Sequence, residues 1–180
     1  MADNIIRLFQ TTTSSFFLFG PRGTGKSTWL KKQYPVSIYI DLLDDKLYRK
    51  LLARPESLND IILGRKNEKI VIIDGIQKVP ELLSVVHKLI EEYKSFQFIL
   101  TGSSSRKLKR AGVDLLGGRA ILKKMYPFTA AELGNDFSIN NALLYGLIPL
   151  IYQSKDKEDA LAAYINLYLK EEVHAEGLVR

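Results

Sequence analysis

Gly20, Gly25, Lys26 and Ser27 stand at fixed spacing within Gly20-Pro21-Arg22-Gly23-Thr24-Gly25-Lys26-Ser27. That spacing, G-x-x-x-x-G-K-[ST], suits a loop that wraps a chain of phosphates. Glycines let backbone N–H groups turn toward phosphate oxygens, and a helix beginning at the loop's end adds the positive pole of its dipole. Lys26 has the reach and charge for the β- and γ-phosphates of a nucleoside triphosphate, and the Ser27 hydroxyl is a suitable Mg²⁺ ligand. The expected nucleotide-binding set is therefore Gly20, Pro21, Arg22, Gly23, Thr24, Gly25, Lys26, Ser27 and Thr28. Arg22 has two readings, a phosphate contact or a side chain in solvent. The flanks agree with the motif: Ser15-Phe16-Phe17-Leu18-Phe19 reads as a short buried strand, and 28–32 continues as a helix.

A second acidic candidate follows the clearest strand. Lys69-Ile70-Val71-Ile72-Ile73-Asp74 is a β-branched run suited to the middle of a parallel sheet. In phosphate-loop enzymes an aspartate at such a strand end helps hold Mg²⁺, a cation that prefers oxygen ligands and keeps several waters. Ser27 and Asp74 are thus the expected metal ligands. The competing reading, an Asp74-Gly75 hairpin turn, is disfavoured because the chain runs directly into Pro80 and a helical pattern.

These residues need a scaffold, and the chain alternates strands and helices to make one. Further strand candidates are 37–41, 96–101 and 120–125, and helical apolar spacing covers 44–52 and 55–63 with a break at Arg54-Pro55. After Pro80, Leu82, Val85, Val86, Leu89, Ile90 and Tyr93 share one broad helical face. The order predicts an α/β fold of three layers around a mostly parallel five-stranded sheet. From Pro127 onward the pattern turns helical, at 129–133, 140–145 and 159–172, the last with Leu161, Tyr164, Ile165, Tyr168 and Leu169 at helical spacing. The expected division is a nucleotide-binding core over 1–128 and a partial helical, lid-like segment over 129–180. The apolar face of the last helix calls for a partner subunit or further chain.

With 46% hydrophobic and 26% charged residues among 180, the composition is that of a folded globular domain. The absence of cysteine excludes disulfides and thiolate chemistry, and the two histidines, His87 and His174, are far apart in sequence. No early stretch has the layout of a secretion signal, and Phe16 to Phe19 is too short to span a bilayer, so a cytoplasmic protein is expected. The +6 charge and the cluster Arg106-Lys107-Leu108-Lys109-Arg110 leave DNA as an alternative partner, a solvated helix face being the favoured reading.

Three segments together carry a family resemblance: the loop at 20–27, Ile73-Asp74-Gly75-Ile76-Gln77-Lys78-Val79-Pro80-Glu81-Leu82-Leu83, and Ile99-Leu100-Thr101-Gly102-Ser103-Ser104-Ser105-Arg106-Lys107-Leu108. They resemble the AAA-type ATP-binding proteins widespread in bacteria and archaea, in which an N-terminal ATPase is joined to a C-terminal domain often described as nuclease-like. The resemblance covers nearly the whole chain, without that C-terminal part. It implies ATP and Mg²⁺ as cofactors, and a sheet in which the Thr101 strand lies between the strands that precede Ser27 and end at Asp74. It also implies catalytic roles for Lys26, for Thr101 as a γ-phosphate sensor, and for Arg119 as an arginine finger toward a neighbouring subunit in an oligomer. For Thr101 the alternative is a strand-end hydroxyl, and for Arg119 a surface arginine after a glycine turn. One departure stands out. The family pattern has glutamate directly after the aspartate, where this chain has Gly75. A general base of that kind is worth about 10²–10⁴ in rate, and Glu81, six positions on, is too distant to replace it. The resemblance therefore implies an Mg-ATP-dependent switch with weak or absent hydrolysis. The alternative is an active ATPase, with DNA among its candidate partners, that positions water with another group, for which Gln77 is the candidate.

Overall fold

The fold is taken from a computed structural model, which describes residues 5–103, 108 and 116–170. The chain divides into two compact units. One comprises Thr11–Phe19 with Leu30–Lys124, and the other Met1–Gln10 with Gly20–Trp29 and Met125–Arg180.

The first unit holds a five-stranded sheet in the order β2-β3-β4-β1-β5, formed by β1 Phe16–Phe19, β2 Ile38–Asp41, β3 Ile70–Asp74, β4 Gln97–Gly102 and β5 Ile121–Lys124. Every pairing is parallel. The α/β fold with a parallel five-stranded sheet is therefore as expected. So is the order that places the Thr101 strand between the strand ending at Asp74 and the strand leading to the glycine-rich loop.

Burial explains which strands are central. β1 is buried at every position and β3 and β4 at all but their first, whereas β5 lies at the edge and is largely exposed. Side chains alternate across a strand, so burial of consecutive residues requires cover on both faces. On one face Phe17, Phe19, Val71, Ile73, Phe98 and Leu100 form a continuous core with Leu51, Leu58, Ile62, Leu82, Val86 and Leu89. Those partners come from the helices α2 Asp45–Ala53, α3 Ser57–Leu63 and α4 Leu82–Glu92. Phe16, Leu18, Ile72 and Ile99 point to the other face and are equally buried. Each large apolar side chain so enclosed contributes about 1.5–3 kcal/mol relative to exposure. The break predicted at Arg54-Pro55 separates α2 from α3. Asp44 caps α2, its carboxylate accepting from the Leu47 amide.

In the second unit, Lys26–Thr28 and Trp29 begin the helix α1, Lys26–Gln33. Short helices follow β5 at Ala130–Leu133, Ile139–Tyr145, Pro149–Tyr152 and Lys157–Ala163. Thr129 closes a reciprocal capping box with Glu132. The helix expected over 159–172 differs in form: the α-helix gives way to a π-helical stretch over Tyr164–Leu169. Within it Tyr164 is buried while Ile165 is 41% exposed. Lys170 is helical, and positions 171–172 of that expected helix lie outside the described residues. Among the described residues, no helix is long and apolar enough to cross a membrane.

Candidate nucleotide site

The loop at 20–27 has the backbone its glycines predict. Gly23 and Gly25 adopt φ of 74° and 84°, a left-handed region costly for residues with a Cβ. Gly20 answers a different demand, close packing: a Cβ there would lie 2.1 Å from the Met125 carbonyl oxygen. The Thr24 hydroxyl is buried and donates to the Pro21 carbonyl at 2.8 Å, bracing the turn from inside. Lys26 donates from Nζ to the carbonyl oxygens of Gly20 at 2.6 Å and Pro21 at 2.9 Å, so its ammonium folds over the loop's own backbone. The first helical bond, from the Trp29 amide to the Gly25 carbonyl at 2.9 Å, starts α1 at the loop's end.

Elements from the end of the chain support this loop. The Leu150 amide donates to the Gly23 carbonyl at 3.2 Å, and the Tyr164 hydroxyl donates to the Arg22 carbonyl at 3.1 Å. Arg22 places its guanidinium 5.0 Å from the centre of the Tyr168 ring, a contact neither reading of that residue anticipated. Thr28 is exposed, and Ser27 is half-buried.

The sheet unit gathers a second group at the C-terminal ends of β2, β3 and β4. Asp74 is only 8% exposed and both carboxylate oxygens accept hydrogen bonds. The Thr101 hydroxyl donates to Oδ1, and the Tyr39 hydroxyl donates to Oδ2 at 2.5 Å. The same Thr101 oxygen accepts from the Gly75 amide at 3.1 Å. Thr101 is thus neither a simple strand-end cap nor free of the aspartate: it ties β4 to the end of β3. Gly75 itself has φ 85° and ψ 36°, turning the chain out of β3 into a short 3-10 helix, Ile76–Lys78. Because β3 and β4 are parallel, no Asp-Gly hairpin forms.

Gln77 follows on that turn with its Oε1 buried and, among the described residues, without a hydrogen-bond partner. It faces Gly102, where an added Cβ would come within 2.8 Å of it. Asp41, to which the sequence assigned no role, accepts from the Leu43 amide at 2.9 Å and shapes the turn after β2.

Residues 12–134 match the family described as AAA domain. The chain belongs to that family. It is a nucleotide-binding domain of the AAA type, and the matched span includes both the glycine-rich loop and the Asp74 strand end. An uncharacterized protein of Methanocaldococcus jannaschii, MJ1544, is 27% identical over 158 residues. The match takes in 85% of this chain and 34% of that protein, so the chain spans about a third of its relative's length. Among solved structures, domain III of the Thermotoga maritima replication initiation protein DnaA aligns at TM-score 0.41 and 14% identity, over 89% of this chain and 77% of that one. AMPPCP-bound DnaA from Aquifex aeolicus aligns at 0.44 and 18%, over 92% and 57%.

Within this AAA domain the third expected catalytic residue, Arg119, engages the end of α4. Arg119 is exposed and its Nε donates to Glu91 at the end of α4, with a further contact from its guanidinium to the Gly117 carbonyl at 3.3 Å. That hydrogen bond, with a second from Lys94, holds the Glu91 carboxyl below the ordinary carboxylate range. The basic cluster at 106–110 lies outside the described residues except for Leu108, which is buried. Tyr39 and the turn role of Asp41 escaped sequence reasoning. Their only signal was position on a strand neighbouring β3, and strand order is not written locally.

Proposed function

We propose that this AAA domain binds Mg-ATP through Gly20, Pro21, Arg22, Gly23, Thr24, Gly25, Lys26, Ser27 and Thr28, with Ser27 and Asp74 as the metal's protein ligands. In this reading the domain acts as a nucleotide-dependent switch with weak or absent hydrolysis. The observation that carries the reading is the loop's backbone, with two left-handed glycines leading into a helix that begins at Lys26. Such a turn presents consecutive amide N–H groups to an anion. A hydroxyl and a carboxylate form a hard-oxygen donor set, which fits Mg²⁺, and a carboxylate with one hydrogen bond on each oxygen keeps acceptor capacity on both. When bound, Mg²⁺ supplies neutralisation of charge on the β- and γ-phosphates. Lys26 exchanges its bonds to Gly20 and Pro21 for phosphate oxygens, gripping the nucleotide by charge. Gly75 offers no side chain to polarise water, which is why retention of ATP is the expected state.

Replacing Lys26 with alanine tests the assignment. Hydrogen bonds to charged groups contribute about 1.5–3 kcal/mol, so the affinity for ATP, read by calorimetry, should fall about 10- to 100-fold. Unchanged affinity refutes the phosphate-loop reading.

One observation favours a second reading, an active ATPase in which Gln77 orients the water. Its Oε1 is a buried acceptor with no partner among the described residues, beside the strand end that carries Asp74 and Thr101. Single-turnover measurement with excess protein and trace ATP separates the two: ATP intact for hours supports the switch, prompt ADP supports the ATPase. We further infer a protein partner or additional domain as the receiver of the nucleotide signal. Leu143, Leu144, Ile165 and Leu167 are exposed and support that inference. Arg119 serves as an arginine finger only in an oligomer that draws it from Glu91. A DNA partner has just the +6 charge and the 106–110 cluster in its favour.

A further inference from the structure

Asp74 receives hydroxyl donors from both flanking strands, and only one of them belongs to the motif that marks the site. Thr101 comes from the β4 segment that pointed to the family. Tyr39 comes from β2, where no motif is found, yet its hydroxyl meets Oδ2 at 2.5 Å. Tyr39 is opposite Ile72 in the parallel register, two residues before Asp74, so its long side chain runs along the sheet toward the carboxylate. The ring is held on its way: the Lys31 ammonium of α1 lies 4.8 Å from the ring centre. A phenol has few torsions to lose, so a ring fixed in this way places its hydroxyl with little further ordering cost.

The consequence concerns the plane of the Asp74 carboxylate. With Thr101 alone on Oδ1, the group still pivots about its Cβ–Cγ bond. A second donor on Oδ2, arriving from the opposite neighbouring strand, stops that rotation. Each oxygen keeps a lone-pair direction that the hydroxyls do not use, and those directions then point at fixed angles. A cation that demands near-ideal octahedral geometry and retains its waters gains most from such fixation.

We propose that Tyr39 is the positioning residue of the metal-binding carboxylate, its hydroxyl setting the orientation in which Asp74 meets the hydrated Mg²⁺ of a bound nucleotide. The proposal rests on the reading of Asp74 as a metal ligand. Outer partners of metal ligands typically change metal affinity 10- to 100-fold when removed.

The test uses the full chain and a fluorescent ATP analogue, with affinity measured in excess Mg²⁺ and again in EDTA. The readout is the ratio of the two affinities within each variant, so a general loss of stability or of phosphate binding cancels. Tyr39→Phe keeps the ring and removes the hydroxyl, and its ratio should fall about tenfold. Asp74→Asn should bring the ratio close to one, and Tyr39→Phe combined with Asp74→Asn should be no lower than Asp74→Asn alone. A wild-type ratio in Tyr39→Phe, with Asp74→Asn reduced, overturns the role of Tyr39 and leaves Asp74 as the ligand. A wild-type ratio in Asp74→Asn overturns the metal reading itself, and the proposal with it. Additive losses in the double variant also overturn it, since Tyr39 would then act elsewhere than through Asp74.

Discussion

Gly75 offers the sharpest quantitative test, because it combines a backbone cost with a chemical gain. Its φ of 85° and ψ of 36° lie in the left-handed region, where an L-residue costs about 1–2 kcal/mol. Space adds nothing to that cost: the nearest atom to an added Cβ is the Leu42 Cβ at 3.9 Å. Gly75→Ala should therefore destabilise by about 1–2 kcal/mol through the backbone alone. For a domain of this size each kcal/mol shifts Tm by about 2–4 °C, so a fall of about 2–8 °C is expected in calorimetry. Gly75→Asn should lose less, because asparagine visits this region more readily. Gly75→Glu carries the alanine cost and restores the carboxylate that family members place after the aspartate. If that group is what limits turnover, single-turnover hydrolysis should rise about 10²-fold or more in Gly75→Glu and not in Gly75→Ala. An unchanged Tm in Gly75→Ala refutes the strain argument. A folded, ATP-binding Gly75→Glu protein with no gain in turnover refutes the chemical one.

Two further outcomes follow from contacts around the same strand ends and from the Arg119 pair. Thr101→Val preserves shape but leaves the Gly75 amide and one Asp74 oxygen short of a partner. Urea unfolding should show a loss of about 1–3 kcal/mol, and no measurable loss would show that the hydroxyl does not bridge β3 and β4. Glu91 is held below its ordinary range first by the hydrogen bond from Arg119. A carboxyl depressed in the folded state contributes stability above its unfolded pKa and loses it as pH falls through the folded value. Arg119→Ala should therefore move the Glu91 titration upward toward ordinary carboxylates in NMR. A Glu91 titration that does not move would show that the pair is not formed in solution. On this exposed surface water and salt screen the pair, and acid stability should change little.

The form of the glycine-rich loop was legible because its information is contiguous. Glycine readily tolerates the left-handed backbone of Gly23 and Gly25, and the helix starting at Lys26 is encoded by its neighbours, so spacing within eight residues carried the loop's backbone form. The same holds for β3 and β4, whose apolar runs announce central strands, and for Asp74 at the end of one of them. Family resemblance supplied the order of the strands and marked Gly75 as a departure. Its left-handed conformation and the cost of replacing it came from the backbone.

What only the tertiary structure decided is how the acidic centre is held. Tyr39 and Thr101 are 35 and 27 residues from Asp74 along the chain, and nothing in their local sequence specifies a shared carboxylate. Parallel pairing of β2 and β4 with β3 brings the two hydroxyls to it from opposite sides. The tie between Arg119 and Glu91 and the buried oxygen of Gln77 are of the same kind. Each depends on which elements become neighbours when both sheet faces are covered, a result of burying the whole apolar surface rather than of any one segment.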